Sequence, residues 1–322
     1  MLDLKTIESL RLAVGPDGIR ESVPMSELTT FKIGGPAELV VEPSTVDEVC
    51  EIVSICKEAG ARLRILGLGS DLLVSDDGLD GVVLRFAERF SGISVDAKAA
   101  RVVALSGASN EAVAAAACEA GLTGYEFASG IPGTVGGAAI MNAGAYGGEF
   151  RDACCSLTCL TPQGNVVEVH PYEACWGYRR SMMFDAGYIV LSATFQFMHD
   201  DRQAIQARID DLCAQRCAKQ PIELPSAGST FKRPKGYFAG KLIQDAGLRG
   251  FTCGGAQVSE KHTGFVVNVG GATAADVLAV IKGVQQRVFD QEGVRMYPEV
   301  RMWGFTDAEL DTVSAHGEEA RS

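Results

Sequence analysis

Two glycine-rich stretches hold the groups best placed to do chemistry. Gly67–Leu68–Gly69–Ser70 closes a predicted strand, where successive main-chain N–H groups and the Ser70 hydroxyl could cradle a phosphate. Gly130–Ile131–Pro132–Gly133–Thr134–Val135–Gly136–Gly137 belongs to a run of 22 residues, between Glu126 and Glu149, with seven glycines and no charge. Glycine lets backbone amides approach a large ligand closely. Alone, the first stretch reads as a simple turn; paired with the second, it could clamp both phosphates of a long dinucleotide. The uncharged run is about as long as a membrane span. Ser129, Pro132, Thr134, Asn142 and the glycines argue instead for a loop, since a lipid-facing helix would be richer in Leu, Ile and Val.

Two familiar nucleotide motifs fail on inspection. "GLGSDL", Gly67 to Leu72, has Leu72 where a Rossmann fingerprint needs its third glycine, and strand and turn signals follow it rather than a helix. "GYFAGKL", Gly236 to Leu242, has three residues between its glycines where a P-loop has four, and Leu242 replaces the magnesium-binding hydroxyl. Lys232, Arg233, Lys235 and Lys241 crowd one region and would either attract a diphosphate or form a solvated basic face. The ten cysteines include no C-x-x-C pair and the four histidines are scattered, so we predict small buried thiols and no metal site.

The elements that must position these groups alternate between strand and helix, which predicts a mixed α+β fold. Strands are expected at 37–43 and 62–66, with a helix at 46–59 between them. A hairpin is expected at 93–106, then a helix at 109–120 capped by Ser109 or Asn110. Two strands at 155–170 joined by PQGN, a strand near 187–197 and a charged helix at 200–219 follow. Beyond Pro221 and Pro225 the pattern predicts a helix at 237–246 and strands near 255–258 and 264–269. A long helix at 273–291 and a strand at 296–303 complete it, with residues 305–322 as a frayed acidic tail. The 322 residues suffice for two or three domains, and the net charge of −12 argues against a nucleic-acid partner. The start, MLDLKTIESLRLAV, lacks the apolar stretch of a signal peptide, so a cytoplasmic protein without membrane insertion is expected.

Six segments in order, "LGLGSDLLVSD", "GIPGTVGGAAIMNAGAYG", "YRRSMMF", "AGSTFKRP", "AGLRG" and "YPEVRMWG", resemble the UDP-N-acetylenolpyruvoylglucosamine reductase family. The resemblance runs from about Phe31 to Gly304. It implies an FAD-binding unit of two α+β subdomains, of the vanillyl-alcohol-oxidase type, followed by a C-terminal α+β substrate domain. The expected limits are 1–80 and 81–198 for the subdomains, 199–304 for the substrate domain and 305–322 for the tail. It also implies NADPH-dependent reduction of the enolpyruvyl ether of UDP-N-acetylglucosamine, a nucleotide sugar, to UDP-N-acetylmuramate in peptidoglycan precursor synthesis.

The cofactor residues implied are Gly67, Leu68, Gly69, Ser70, Asp71 and Leu72 in the first stretch. In the second they are Gly130, Ile131, Pro132, Gly133, Thr134, Gly136, Gly137, Asn142, Gly144 and Ala145. Arg179 and Glu299 would stabilise negative charge developing on the substrate, Glu299 donating only if protonated, and Ser229 would deliver the proton. Tyr178, Lys232 and Lys241 would contact the substrate. Each has a plainer reading: a salt-bridged arginine, a strand glutamate, a capping serine. Arg180 competes with Arg179, but the pattern Y-R-x-S selects Arg179. Asp71 stands where the family usually has Asn, and "KHTGF" replaces K-H-x-N-F, so Gly264 is a departure. The short run from Arg179 to Ser229 resembles the form without an extra tyrosine-bearing loop. Two other functions compete: a flavin oxidase of the same fold, and a catalytically silent nucleotide-sugar sensor. Since the first histidine is His170, no histidyl flavin link can form earlier in the chain, and non-covalent FAD is expected.

Overall fold

In the computed structural model, residues Leu2–Val313 are described. They fall into two compact units: one holds 39–68, 81–216 and the N-terminal residues up to Arg20; the other holds 21–38, 69–80 and the chain from Cys217.

The first unit is built on a five-stranded antiparallel sheet in the order Val166–Val169, Cys154–Leu160, Ile189–Gln196, Arg101–Leu105, Ile93–Asp96. The expected hairpin at 93–106 and the two strands joined by PQGN are therefore present. Alternation sets the buried face: in Arg101–Leu105, Val102 and Ala104 point inward and Arg101 and Val103 outward. The helix Asn110–Glu119 starts at Ser109, whose hydroxyl accepts from Ala112 N, and buries Val113, Ala114 and Ala117 in the same core. Tyr125, Phe150 and Phe195 form the aromatic centre of that core, with Tyr125 and Phe195 ring centroids 5.0 Å apart.

A second core in this unit lies under the helix Val46–Glu58. Thr45 caps it, and Val49, Ile52 and Cys56 recur on its buried face. Strands Leu63–Leu66 and Leu79–Arg85 run parallel beneath. The helix Arg202–Lys219 buries Ile205, and Arg208 of its second turn pairs with Glu126 and Asp200.

The second unit has an antiparallel sheet ordered Ser226–Ser229, Phe265–Asn268, Ala256–Val258, Thr252–Cys253. The helix Ala274–Glu292 covers it. Thr273 and Asp276 form its capping box, and Val277, Val280, Ile281, Val284 and Val288 are buried at helical spacing. Asp76 adds bonds from Ala274 N and Ala275 N at the same helix start. Arg301–Trp303 pairs in parallel with Leu72–Val74, a contact across most of the sequence.

Three expectations need correction. The uncharged run is not loop throughout, because Val135–Met141 is a helix. The tail does not fray at its start: Thr306 caps the helix Asp307–Asp311, and Val313 is fully buried in the second unit's core; residues 314–322 lie outside the described residues. Nor are the thiols uniformly buried. Cys56, Cys118, Cys154 and Cys159 are, and burial pushes the Cys154 and Cys159 thiols up to about 12, whereas Cys175 and Cys217 are exposed. Among the described residues no helix is long and apolar enough to cross a membrane.

Candidate functional site

Within the first unit, Gly67 of one glycine stretch lies against Thr134 of the other. A Cβ on Gly67 would lie 2.5 Å from Thr134 Oγ1, so this close approach requires glycine. Thr134 also caps the helix Val135–Met141, its Oγ1 accepting from Gly137 N at 3.4 Å. Val135 N and Gly136 N donate to Ala108 O and Ser106 O, which fixes the helix start against the end of the Arg101–Leu105 strand.

Neighbouring glycines in this helix exist for different reasons. At Gly136 a Cβ would meet Ser106 Oγ at 2.1 Å, so the fold itself forbids a side chain there, with or without a ligand. At Gly137, which is exposed, the nearest atom is Thr134 Oγ1 at an ordinary 3.6 Å. Protein packing does not require glycine at 137.

Ahead of the helix, Ile131 and Gly133 are half-buried and Pro132 is exposed. Asn110 braces this bend. Its Nδ2 donates to Ile131 O, its N to Gly133 O, and its Oδ1 accepts from the buried Tyr125 hydroxyl. Asn110 was visible in the sequence only as a cap candidate. After the helix, Gly144 and Ala145 pair with Glu149 and Gly148 in a tight hairpin turning at Tyr146 and Gly147, both at positive φ. The Asn142 side chain is committed to the loop itself. It donates to Glu149 Oε2 and Gly177 O and accepts from Arg151 N.

The donor chemistry of this surface fits FAD. Residues 127–148 offer main-chain amides and hydroxyls with no carboxylate to repel a diphosphate, and Gly137 leaves open the space that a Cβ would fill. In the first stretch Leu68, Ser70 and Asp71 are half-buried and Leu72 is buried. A Cβ on Gly69 would lie 2.4 Å from Leu28 O, and Asp71 O accepts from Arg301 N.

Arg179 sits at the tip of a turn in which Gly177 N donates to Arg180 O at 3.0 Å. Its φ is +56°, a region that non-glycine residues seldom occupy. Its guanidinium lies 5.2 Å from the ring centre of the exposed Tyr178. Arg180 points its charge elsewhere, to Asp185 at 2.8 Å.

Within the second unit, Ser229 and Glu299 lie on paired segments. Ser229 pairs with Phe265, Glu299 N donates to Thr230 O at 2.8 Å, and Lys232 N donates to Tyr297 O. Glu299 is 8% exposed, while Ser229 is exposed at the surface. Lys232 and Lys241 are exposed too, and Lys241 pairs with Asp245 one helical turn on. Arg233 stacks on Phe238 at 4.0 Å. Gly264 N donates to His262 Nδ1 at 3.1 Å and Gly264 O accepts from Thr230 N, so the departure from the family pattern pairs with the residue next to Ser229. Burial lowers the pKa of His262 below the ordinary imidazole value.

Among the described residues no cluster of His, Cys, Asp and Glu is arranged to hold a metal ion.

The chain was compared with known proteins. An FAD binding domain family matches residues 37–170, and the UDP-N-acetylenolpyruvoylglucosamine reductase C-terminal domain matches 220–303. These are the FAD-binding and C-terminal α+β parts that the resemblance implied. A UDP-N-acetylenolpyruvoylglucosamine reductase from Agathobacter rectalis is 48% identical, covering 89% of this chain and 94% of its own. One from Clostridium beijerinckii is 47% identical over 89% of this chain and 93% of its own. Among solved structures, the MurB enzyme of Thermus caldophilus superposes with a TM-score of 0.76 at 34% identity, covering 88% of this chain and 99% of that one.

Proposed function

Because the chain belongs to the UDP-N-acetylenolpyruvoylglucosamine reductase family of oxidoreductases, we propose that it reduces the enolpyruvyl ether of UDP-N-acetylglucosamine to UDP-N-acetylmuramate. NADPH is the electron donor in this reading and the cytoplasm its place of action. FAD, when bound, would supply the hydride that adds to the terminal carbon of the enolpyruvyl group. The residues proposed to hold it are those of the 67–72 and 130–145 stretches, with Gly137 leaving room for it.

Addition of hydride to one carbon puts negative charge on the adjacent carbon and the substrate carboxylate. Arg179 supplies a cation for that charge, and Glu299 would add a hydrogen bond only in its protonated form. Ser229 gives the proton: a hydroxyl is a weak acid, but a carbanionic carbon is a strong enough base to take it. Lys232 and Lys241 supply positive charge for the diphosphate in a chain that is acidic overall.

The observation that carries this reading is the pairing of 297–299 with 230–232, which sets the proposed acid and Glu299 on adjacent backbone segments. Stopped-flow absorbance tests it by separating two half-reactions. Losing one charge-stabilising group typically costs about 3–4 kcal/mol, or ~10²–10³ in rate. Glu299→Ala and Arg179→Ala should slow oxidation of the reduced flavin by substrate to that extent while NADPH reduces it at near-normal speed. Equal slowing of both would point to a damaged flavin site and sink the assignment.

A further inference from the structure

We propose that Trp176 and Ser181 are positioning residues for Arg179, acting through the last carbonyls of the helix Val135–Met141; the inference rests on Arg179 having the role proposed above. The last carbonyls of a helix lack intrahelical partners and must find others. Ala139 O takes a long bond of 3.5 Å from Asn142 N, and the chain around Arg179 supplies shorter ones. Trp176 Nε1 donates to Ala139 O at 2.7 Å, and Ser181 Oγ donates to Ile140 O at 2.8 Å. Asn142, in left-handed conformation at the end of that helix, adds a longer bond of 3.4 Å to Gly177 O.

The two short bonds bracket the turn: Trp176 lies just before Gly177, and Ser181 just after Arg180. Both partners are locked in turn. The Trp176 ring meets Phe150 edge-on at 5.9 Å, at the margin of the main core. Ser181 is fully buried, and its hydroxyl accepts from Phe184 N to start the helix Met182–Asp185. Between these anchors Arg179 holds a φ of +56°. A non-glycine residue keeps such a conformation only where its surroundings over-determine it. Removing one anchor lets the turn relax towards negative φ, which redirects the guanidinium. The helix that contributes Gly137 to the cofactor surface thereby also fixes the direction of Arg179.

A double-mutant cycle on the FAD-loaded enzyme separates this role from simple structural support. Holoenzyme reduced with dithionite is mixed with the enolpyruvyl substrate, and return of the oxidised flavin band is timed. Trp176→Phe keeps an aromatic six-membered ring but loses the Nε1 donor with the rest of the indole, and should slow the step at least three- to tenfold, about the worth of one hydrogen bond. In an Arg179→Ala background the same change should add less than about twofold, since the group being aimed is gone. Hydrogen exchange should rise in Trp176→Phe at Gly177 N, whose bond to Arg180 O closes the turn. A full additional loss in the Arg179→Ala background, or unchanged rate and exchange in Trp176→Phe, overturns the inference. No slowing in Arg179→Ala alone overturns the catalytic reading of Arg179, and the inference falls with it. If Trp176→Phe fails to retain flavin, Ser181→Ala runs through the same cycle and the same outcomes apply.

Discussion

Gly136 and Gly137 are adjacent and chemically identical, yet alanine should act on them in opposite directions. At 136 the new methyl would lie 2.1 Å from Ser106 Oγ, more than an ångström inside ordinary contact. Ser106 cannot step aside cheaply. It is 1% exposed, and its hydroxyl donates to Val190 O at 2.5 Å. Overpacking costs about 1–3 kcal/mol, and stranding a buried carbonyl about 1–3 more. At about 2–4 °C per kcal/mol for a unit of this size, the apoprotein midpoint should fall by roughly 5–20 °C. At 137 the methyl meets nothing nearer than 3.6 Å, and Gly→Ala within a helix stabilises by about 0.5–1 kcal/mol. Its midpoint should therefore hold or rise slightly. FAD affinity should nevertheless drop, because the methyl takes the space assigned to the cofactor. Thermal unfolding of both apoproteins, with FAD titration by quenching of flavin fluorescence, decides the matter. Wild-type FAD affinity in Gly137→Ala would refute the cradle. An unchanged midpoint in Gly136→Ala would refute the packing argument.

Three further outcomes are expected. Ser229→Ala should leave flavin reduction by NADPH intact but slow reoxidation by substrate about 10²–10⁴-fold, as for a lost general acid; near-normal stopped-flow reoxidation would return Ser229 to a plain strand residue. Acid denaturation should release FAD into the supernatant, identified by its mass, and colour that stays with the polypeptide would rule out non-covalent binding. His262 carries a pKa lowered by burial, so below about pH 6.5 the unfolded chain takes up a proton that the folded one refuses. Stability should then fall as pH drops towards the folded pKa, and His262→Gln, which keeps an acceptor, should flatten that slope in thermal melts; an unchanged slope would place the proton elsewhere.

Local signals carried much of the fold. The helix expected at 109–120 is observed at Asn110–Glu119, with Ser109 as the cap of the two candidates, and the long helix expected at 273–291 lies within a residue of its observed limits. What was not legible depended on distant partners. The pairing of Arg301–Trp303 with Leu72–Val74 leaves no mark in either segment. The N-terminal helix Leu4–Val14 did carry a signal, since the Asp3 carboxylate accepts from Thr6 N. The helix Val135–Met141 opposed its own propensities, with glycines at its second and third positions. Thr134 and the backbone acceptors Ser106 O and Ala108 O hold it together, and only the folded chain supplies the latter two.

The proposed site divides along the same line. Glycine runs and a Y-R-x-S pattern name the residues proposed for the chemistry, because they are written in residue types. Direction is not written there. That Arg179 occupies a left-handed turn, or that Trp176 reaches Ala139 O, follows from where a helix ends and which carbonyls it leaves open. The same distinction governs the glycines. A sequence records that a Cβ is absent at 67, 136 and 137 without recording what excluded it. At 67 and 136 the excluding atoms belong to Thr134 and Ser106, so these positions report on the fold. At 137 no atom of the described residues comes nearer than 3.6 Å, and that openness is why the position is proposed to face the cofactor. A residue's need for glycine becomes evidence about a ligand only after the protein's own atoms have been shown not to require it.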